Sequence, residues 1–347
     1  MQHFLKEKII HIFDQNPDDF SDISIIIPNK RAAVYIHKHL SEHLNKTILS
    51  PKIQTISEWI DEHTGAYILS QTELLYILFD IHQHISEEAE DFESFSQLGK
   101  MMLSDFDEID RYLLDPTEVY RNLKSIKEIE NWSFDREELS KHQEAFQNVW
   151  DQLPIYYTEL NERLDQMNAT YQGQAYRQFY LNLDKFDFKR HYFLGFNALS
   201  KSEREIFNWF RKQQLGAVYF DMDAFYFENK EHEARHFYDQ ICNEWHIQAE
   251  LYHHFNTTPK NIEVIETSQQ IAQVKIAAQK IAEWKSAGIA LSETAIVLAD
   301  ESLLIPLLES LPMEIEQANI TMGYPLKFSH LNTLIELIFE IQFNYGK

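Results

Sequence analysis

Ile23–Ile27, ISIII, is a short run rich in β-branched residues and apolar at every position but Ser24, and Pro28 ends it. The pattern predicts a buried strand. Asn29 can cap a helix that begins near Lys30, in which Ala33, Ile36, Leu40 and Leu44 recur with a 3.6-residue period. A buried strand running into an amphipathic helix predicts a parallel α/β unit. From about His63 to Asp184 the pattern changes. Glu73–His84, Phe95–Tyr112, Asp135–Leu153 and Tyr156–Met167 show helical periodicity, with almost no β-branched runs and only Gly65, Gly99 and Gly173 as glycines. This stretch reads as an all-helical insertion.

The strand pattern returns in HYFLGFNALSKSEREIF, His191–Phe207. Tyr192–Phe196 reads as a strand and Gly195 and Asn197 as a tight turn, while Ser200 with Glu203 forms an S-x-x-E capping box at a helix start. Ala217–Asp221 reads as a further strand. After the polar stretch Asn256–Asn261, Ile262–Glu266 and Thr294–Ala299 read as strands around a helix at Gln269–Trp284. Helices are predicted at Ser302–Leu311 and Leu331–Phe343, and the chain stops just after the latter, which suggests a domain cut short. There is no internal repeat.

Composition narrows the class. The chain has 347 residues, 44% hydrophobic and 14% aromatic, enough for two or three packed units. No apolar run approaches the length of a membrane span, and the N-terminal MQHFLKEKIIHIF is a charged amphipathic helix rather than a signal peptide. Cys242 is the only cysteine, so no intrachain disulfide can form; a cytoplasmic protein is expected. Thirty-one Lys and Arg against 55 Asp and Glu leave a net charge of −24. That argues against nonspecific coating of nucleic acid, though not against a local basic groove. Part of the excess sits in one acidic block, Glu87–Glu93.

Few constellations offer chemistry. No G-x-x-x-x-G-K-[ST] loop is present, so the β- and γ-phosphates of a nucleotide have no cradle. His232-Glu233-Ala234-Arg235-His236 matches H-E-x-x-H, which on a helix would place two imidazoles on one face for zinc. Glu231 and Arg235 interrupt what would be an apolar helix, so an exposed helix is the plainer reading. Asp221, Asp223 and Glu228-Asn229-Lys230 resemble a D…E-x-K magnesium-nuclease set, but the spacing is too short for its hairpin. Asn29, Lys30 and Arg31 sit where a strand ends and a helix begins, the ligand-binding edge of open α/β sheets, and His37, Lys38 and His39 extend the positive face. These are the candidates for contact with a nucleic-acid backbone. Cys242 reads as core.

Taken in order, several segments resemble the N-terminal, inactivated superfamily 1 helicase region of AddB/RecB-like PD-(D/E)XK nuclease proteins. SDISIIIPNKRAAVYIHKHL is similar to the second strand and helix of a UvrD-like motor, and LSPKIQTISEWI to the next pair. HYFLGFNALSKSEREIF stands where such motors carry Walker B, and AVYFDMDAFYF is similar to the strand that follows. TAIVLADESLLIPLLESLP and NITMGYPLKFSHLNTLIELI are similar to the start of the second motor domain. The resemblance implies a P-loop NTPase-like parallel sheet with a large helical insertion. Residues 1–62 would begin domain 1A, 63–185 the 1B-like insertion, 186–257 the remainder of 1A and 258–347 the start of a 2A-like domain.

Gly195, Phe196 and Asn197 replace the Walker B carboxylates, so neither ATPase nor translocase activity is implied and this region has no catalytic residue. The expected function is a scaffold that binds DNA in double-strand-break end processing, with a helicase partner subunit and a nuclease domain beyond residue 347. Magnesium is expected only for that nuclease domain; no cofactor, membrane or small-molecule substrate is expected here. The alternatives are a scaffold that binds the helicase partner with little DNA, and a zinc peptidase through His232, Glu233 and His236.

Overall fold

The computed structural model describes residues 4–16, 20–44, 48–86, 89–121, 141–315, 317–321, 323 and 325–345. Glu87, Glu88 and the start of the helix expected over Asp135–Leu153 lie outside the described residues. The chain divides into two compact units, Met1–Pro259 and Lys260–Lys347.

Among the described residues of the first unit the strands are β1 (Ile23–Ile27), β2 (Lys52–Thr55), β3 (Tyr67–Ile68), β4 (Ala169–Thr170), β5 (Arg190–Leu194) and β6 (Gly216–Tyr219). Four of them form an all-parallel sheet in the order β2-β1-β5-β6, in register Ile25↔Ile53, Ile25↔Tyr192 and Phe193↔Val218. Its helices include α1 (Phe4–Gln15), α2 (Lys30–His43), α3 (Ile56–Thr64), α4 (Gln71–Ile85), α5 (Phe92–Arg111), α6 (Lys141–Gln166), α7 (Gln172–Leu181), α8 (Lys201–Lys212) and α9 (His236–Trp245).

The apolar character of β1, broken only at the half-buried Ser24, follows from burial on both faces of the sheet. Ile23, Ile25 and Ile27 pack with Tyr192 and Leu194 against Ile9, Ile12 and Phe13 of α1 and Ile36 and Leu40 of α2. Ile26 and Phe193 point the other way, into a core with Trp59 of α3, Phe179 of α7 and Phe207 and Phe210 of α8. Local signals start the helices as expected. The Asn29 side chain accepts the Ala32 N–H at 3.2 Å, and Ser200 with Glu203 closes a full capping box. Thr55 with Glu58 and Ser70 with Glu73 form two more.

The helical insertion leaves and rejoins through the short parallel pair β3–β4, two residues in each strand and too brief for any periodicity to announce. Its own core joins Leu78 of α4, Phe106 of α5 and Leu160 of α6. One helix, α6, spans the two segments expected separately, with Pro154 inside it. On the other side of the pair, α7 touches α5 of the insertion and α3 and α8 of the sheet layer.

Strand ends differ from expectation for physical reasons. Gly195 adopts φ 73°, a left-handed conformation that ends β5 at Leu194. Phe196 therefore leaves the strand and packs on Phe207, with ring centroids 4.9 Å apart. At Gly216 a Cβ would lie 2.0 Å from the carbonyl oxygen of His191 on the neighbouring strand. Gly216→Ala is thus expected to push β6 from β5 and destabilise the protein by about 1–3 kcal/mol, measured as a lowered urea midpoint at unchanged slope.

In the second unit α10 (Gln270–Ser286) packs its buried Val274, Ala278 and Ile281 with Leu304 and Leu307 of α11 (Leu304–Ser310), and α12 (His330–Asn344) is capped by Ser329. The two strands expected here do not form. Ile262–Glu266 and Thr294–Ala299 join no ladder, and Ile262, Val264 and Val297 are 77%, 91% and 90% exposed. A strand needs a neighbour to satisfy its N–H and C=O groups, and none is available among the described residues of this unit. Among the described residues this unit is helical, without the two strands expected in it. Among the described residues no helix is long and apolar enough to cross a membrane.

Candidate nucleic-acid interface at the sheet edge

From β1 the chain crosses through α2 to β2 on one side, while β5 lies on the other side of β1. The boundary between β1 and β5 is thus the topological switch point of the sheet, where the strand ends leave a crevice. A cavity of about 410 Å³ opens there. Pro28, Asn29 and Ala32 line it from the β1–α2 turn, Leu194 and Gly195 from the end of β5, and Asp221 from beyond β6. Phe4 and Leu5 of α1 close one side, and Tyr252 and His254 another.

The structure brings Asn29, just past the end of β1, and Gly195, just past the end of β5, to one cavity. It separates their neighbours. Phe196 is 7% exposed and belongs to the core, and Asn197 faces solvent. Phe4 covers the glycine turn: a Cβ at Gly195 would lie 3.8 Å from its Cε1.

Lys30, Arg31 and Lys38 stand on the exposed side of α2, with Val34 and Tyr35, 67% and 47% exposed, between them. Lys30 Nζ lies 2.6 Å from Glu58 Oε1 across the strand ends. The Lys30 contact and then the backbone N–H of Thr55 pull the Glu58 carboxyl down to about 2, and the same contact raises Lys30. Both groups are exposed, so the pair adds little stability. Lys38 is 4.0 Å from Glu42 on the next turn.

The H-E-x-x-H match does not lie on one helix. His232 precedes a short 3-10 turn, Glu233–Arg235, and its Nδ1 accepts the Ala234 N–H at 3.1 Å; His236 begins α9. The two imidazoles therefore do not share one helical face. No group of three metal-ligating side chains occurs among the described residues. Of the D…E-x-K candidates, Asp223 has a structural role. Asp223 caps the short helix Ala224–Glu228 and accepts the N–H groups of Phe225 and Phe255, each at 2.9 Å. Burial raises its pKa, but these backbone donors outweigh it and leave the carboxyl below its usual value.

Sequence reasoning missed Phe4, Tyr252 and His254 as cavity residues, and flagged Asp221 only for a nuclease set. Tyr252 is held by a backbone bridge to Asp223: its N–H donates to Met222 C=O at 2.9 Å, and its C=O accepts from Ala224 at 2.7 Å. Nothing in LYHHF, Leu251–Phe255, marks that pairing. No protein-family model matches this chain, and no curated protein is detectably similar to it.

Proposed function

We propose that the chain is a catalytically inactive, helicase-like scaffold of a DNA exonuclease subunit, which holds DNA during double-strand-break end processing beside a helicase partner. The observation that carries the DNA contact is the strip of Lys30, Arg31 and Lys38 with Tyr35 on the outer face of α2, at the carboxyl edge of a parallel sheet in a strongly acidic chain. Ammonium and guanidinium groups beside an exposed ring supply phosphate contact and stacking, the two elements of single-strand binding. The cavity supports the loss of nucleotide hydrolysis. Its lining holds Asp221 and neither lysine nor arginine, and Phe4 stands over the turn, so a polyphosphate would meet negative charge.

Fluorescence anisotropy on a tailed duplex tests this reading. Binding should weaken steeply between 50 and 200 mM salt. In Lys30→Glu/Arg31→Glu/Lys38→Glu it should fall at least about tenfold at low salt, with a salt slope reduced by about 3. Glu58→Gln should tighten binding, because a phosphate then no longer competes for Lys30. Unchanged affinity and slope in the triple variant would remove α2 as the interface. The second reading, a partner-binding scaffold, is favoured by the apolar face of α12, where Leu331, Ile335 and Ile338 are 61%, 43% and 55% exposed. In that reading the triple variant keeps its hold on the helicase partner in a pull-down.

A further inference from the structure

Helix α12 keeps an apolar surface that no described residue hides. None of its residues is buried, and its large apolar side chains range from 43% exposed at Ile335 to 79% at Phe343. In the same unit α10 does the opposite and buries Val274, Ala278 and Ile281 against α11. A helix of 15 residues standing alone is marginal in water, because most helical stability comes from packing an apolar face. A contiguous exposed face of this kind marks an interaction site.

The pattern on α12 is regular. Leu331, Leu334, Ile338, Ile341 and Tyr345 follow one another at spacings of three, four, three and four residues, the heptad seam along which one helix packs on another. Ile335 and Leu337 flank it. The spacing is nearly symmetrical about Ile338, so the seam matches its own reversal: Leu331 falls opposite Tyr345, and Leu334 opposite Ile341. The charged side chains lie elsewhere. Glu336 and Glu340 are the only Asp, Glu, Lys or Arg of the helix, and both sit about 160° round it from Ile338. On that far stripe Glu336 accepts from Asn332 Nδ2 at 2.7 Å.

We propose that α12 is the two-fold interface of a homodimer, in which its seam packs antiparallel on α12 of a second copy. Two features select a copy as the occupant. The first is charge. A net charge of −24 opposes self-association through most of the surface, but this seam brings no carboxylate towards its counterpart. The second is area. The large apolar side chains of α12 expose on the order of 1,000 Å². Covering half of that on each copy buries about 1,000 Å² in total, enough for a specific, reversible dimer. Opposed macrodipoles favour the antiparallel direction. The inference does not rest on the DNA reading, which is tested on Lys30, Arg31 and Lys38 and stands or falls separately.

Analytical ultracentrifugation of the full chain over a dilution series tests the dimer. A concentration-dependent shift from one copy to two is expected, with a dissociation constant in the micromolar range. It should tighten as salt screens the repulsion between copies, whereas DNA binding weakens. Ile338→Glu should weaken the dimer at least about tenfold, while Thr333→Glu, on the far side of the helix, should leave it unchanged. Cross-linking reads the geometry without a new charge. Cys242 is buried, so an added thiol on α12 is the reactive one. On oxidation Ile338→Cys should join its counterpart, Leu331→Cys should join Tyr345→Cys in a mixture, and Thr333→Cys should stay unlinked. A single-copy mass up to about 100 μM would overturn the proposal and leave the face to another protein. An unchanged dimer in Ile338→Glu, or Thr333→Cys joining as readily as Ile338→Cys, would overturn it too.

Discussion

Arg177→Met is expected to lower the free energy of unfolding by about 3–5 kcal/mol at neutral pH, the largest effect of any single change considered for this chain. Arg177 Nε lies 2.6 Å from Oδ1 of Asp110, whose side chain is fully buried. The same guanidinium donates to the carbonyl oxygens of Ile109 and Leu114, at 3.0 and 2.5 Å. Asp110 also accepts the hydroxyls of Tyr157, at 2.6 Å, and Tyr171. Burial pushes the Asp110 carboxyl above its ordinary pKa; the two tyrosines and Arg177 only partly oppose that. Methionine fills most of the space but leaves a buried carboxylate without its counter-charge. Because the folded state then favours the protonated acid, the deficit should shrink as pH falls and Asp110 takes up a proton. Urea denaturation of the two proteins at matched pH measures this. A deficit under about 1 kcal/mol at pH 7.5 would mean that the tyrosines alone satisfy Asp110. The network ties α7 to α5, so its loss should also loosen the helical insertion from the sheet.

The second large effect is a pH dependence centred on His191. This residue is 5% exposed, packed among Trp59, Phe188 and Phe210, with ring centroids 4.8–5.4 Å away. Burial holds its pKa down to about 4; the carbonyl of Lys189 opposes the shift, and His63 and Lys52 reinforce it. The neutral ring is the folded form. As pH falls below about 6.5 the unfolded chain takes up a proton that the folded chain refuses until about pH 4, so stability is present above that window and lost within it. The loss amounts to about 3 kcal/mol at 1.36 kcal/mol per unit. His191→Phe keeps an aromatic ring and removes the proton. The wild-type protein should lose about 3 kcal/mol more than this variant between pH 7.5 and pH 4. Parallel stability curves for the two proteins would show that His191 titrates normally in the fold. Other carboxylates and histidines titrate in both proteins, and the comparison cancels them.

What could be read from the chain and what could not divide along physical lines. β1 was legible because four of its five residues are isoleucines, as burial on both faces of the sheet favours. The α2 and α8 starts were legible because Asn29 and Ser200 act on residues within one turn. The turn at Gly195 was legible as a turn, but its φ of 73° moved the strand end by two residues and sent Phe196 inward. Ile262–Glu266 and Thr294–Ala299 misled because β-branched apolar runs report a capacity to pair, not the presence of a partner. The β3–β4 neck gave no signal at all. Of the candidate site, Asn29, Lys30, Arg31 and Lys38 were found from a strand-to-helix transition, and Gly195 from its place in order. Glu58, which occupies Lys30, lies 28 positions away and could not be inferred from either signal.

By itself, then, the sequence determined the quantities that depend on near neighbours: periodicity, caps, the parallel α/β character, the helical insertion, the want of a phosphate loop and the basic start of α2. Only the tertiary structure decided which distant residues meet. It set Phe4, Asn29, Gly195, Asp221 and Tyr252 around one cavity, made caps of Asp223 and His232, and formed no strand among the described residues of the second unit. The physical reason is range. A cap or an amphipathic face is settled over three or four residues, whereas a cavity is closed by segments up to 250 positions apart, brought together only by the strand order β2-β1-β5-β6.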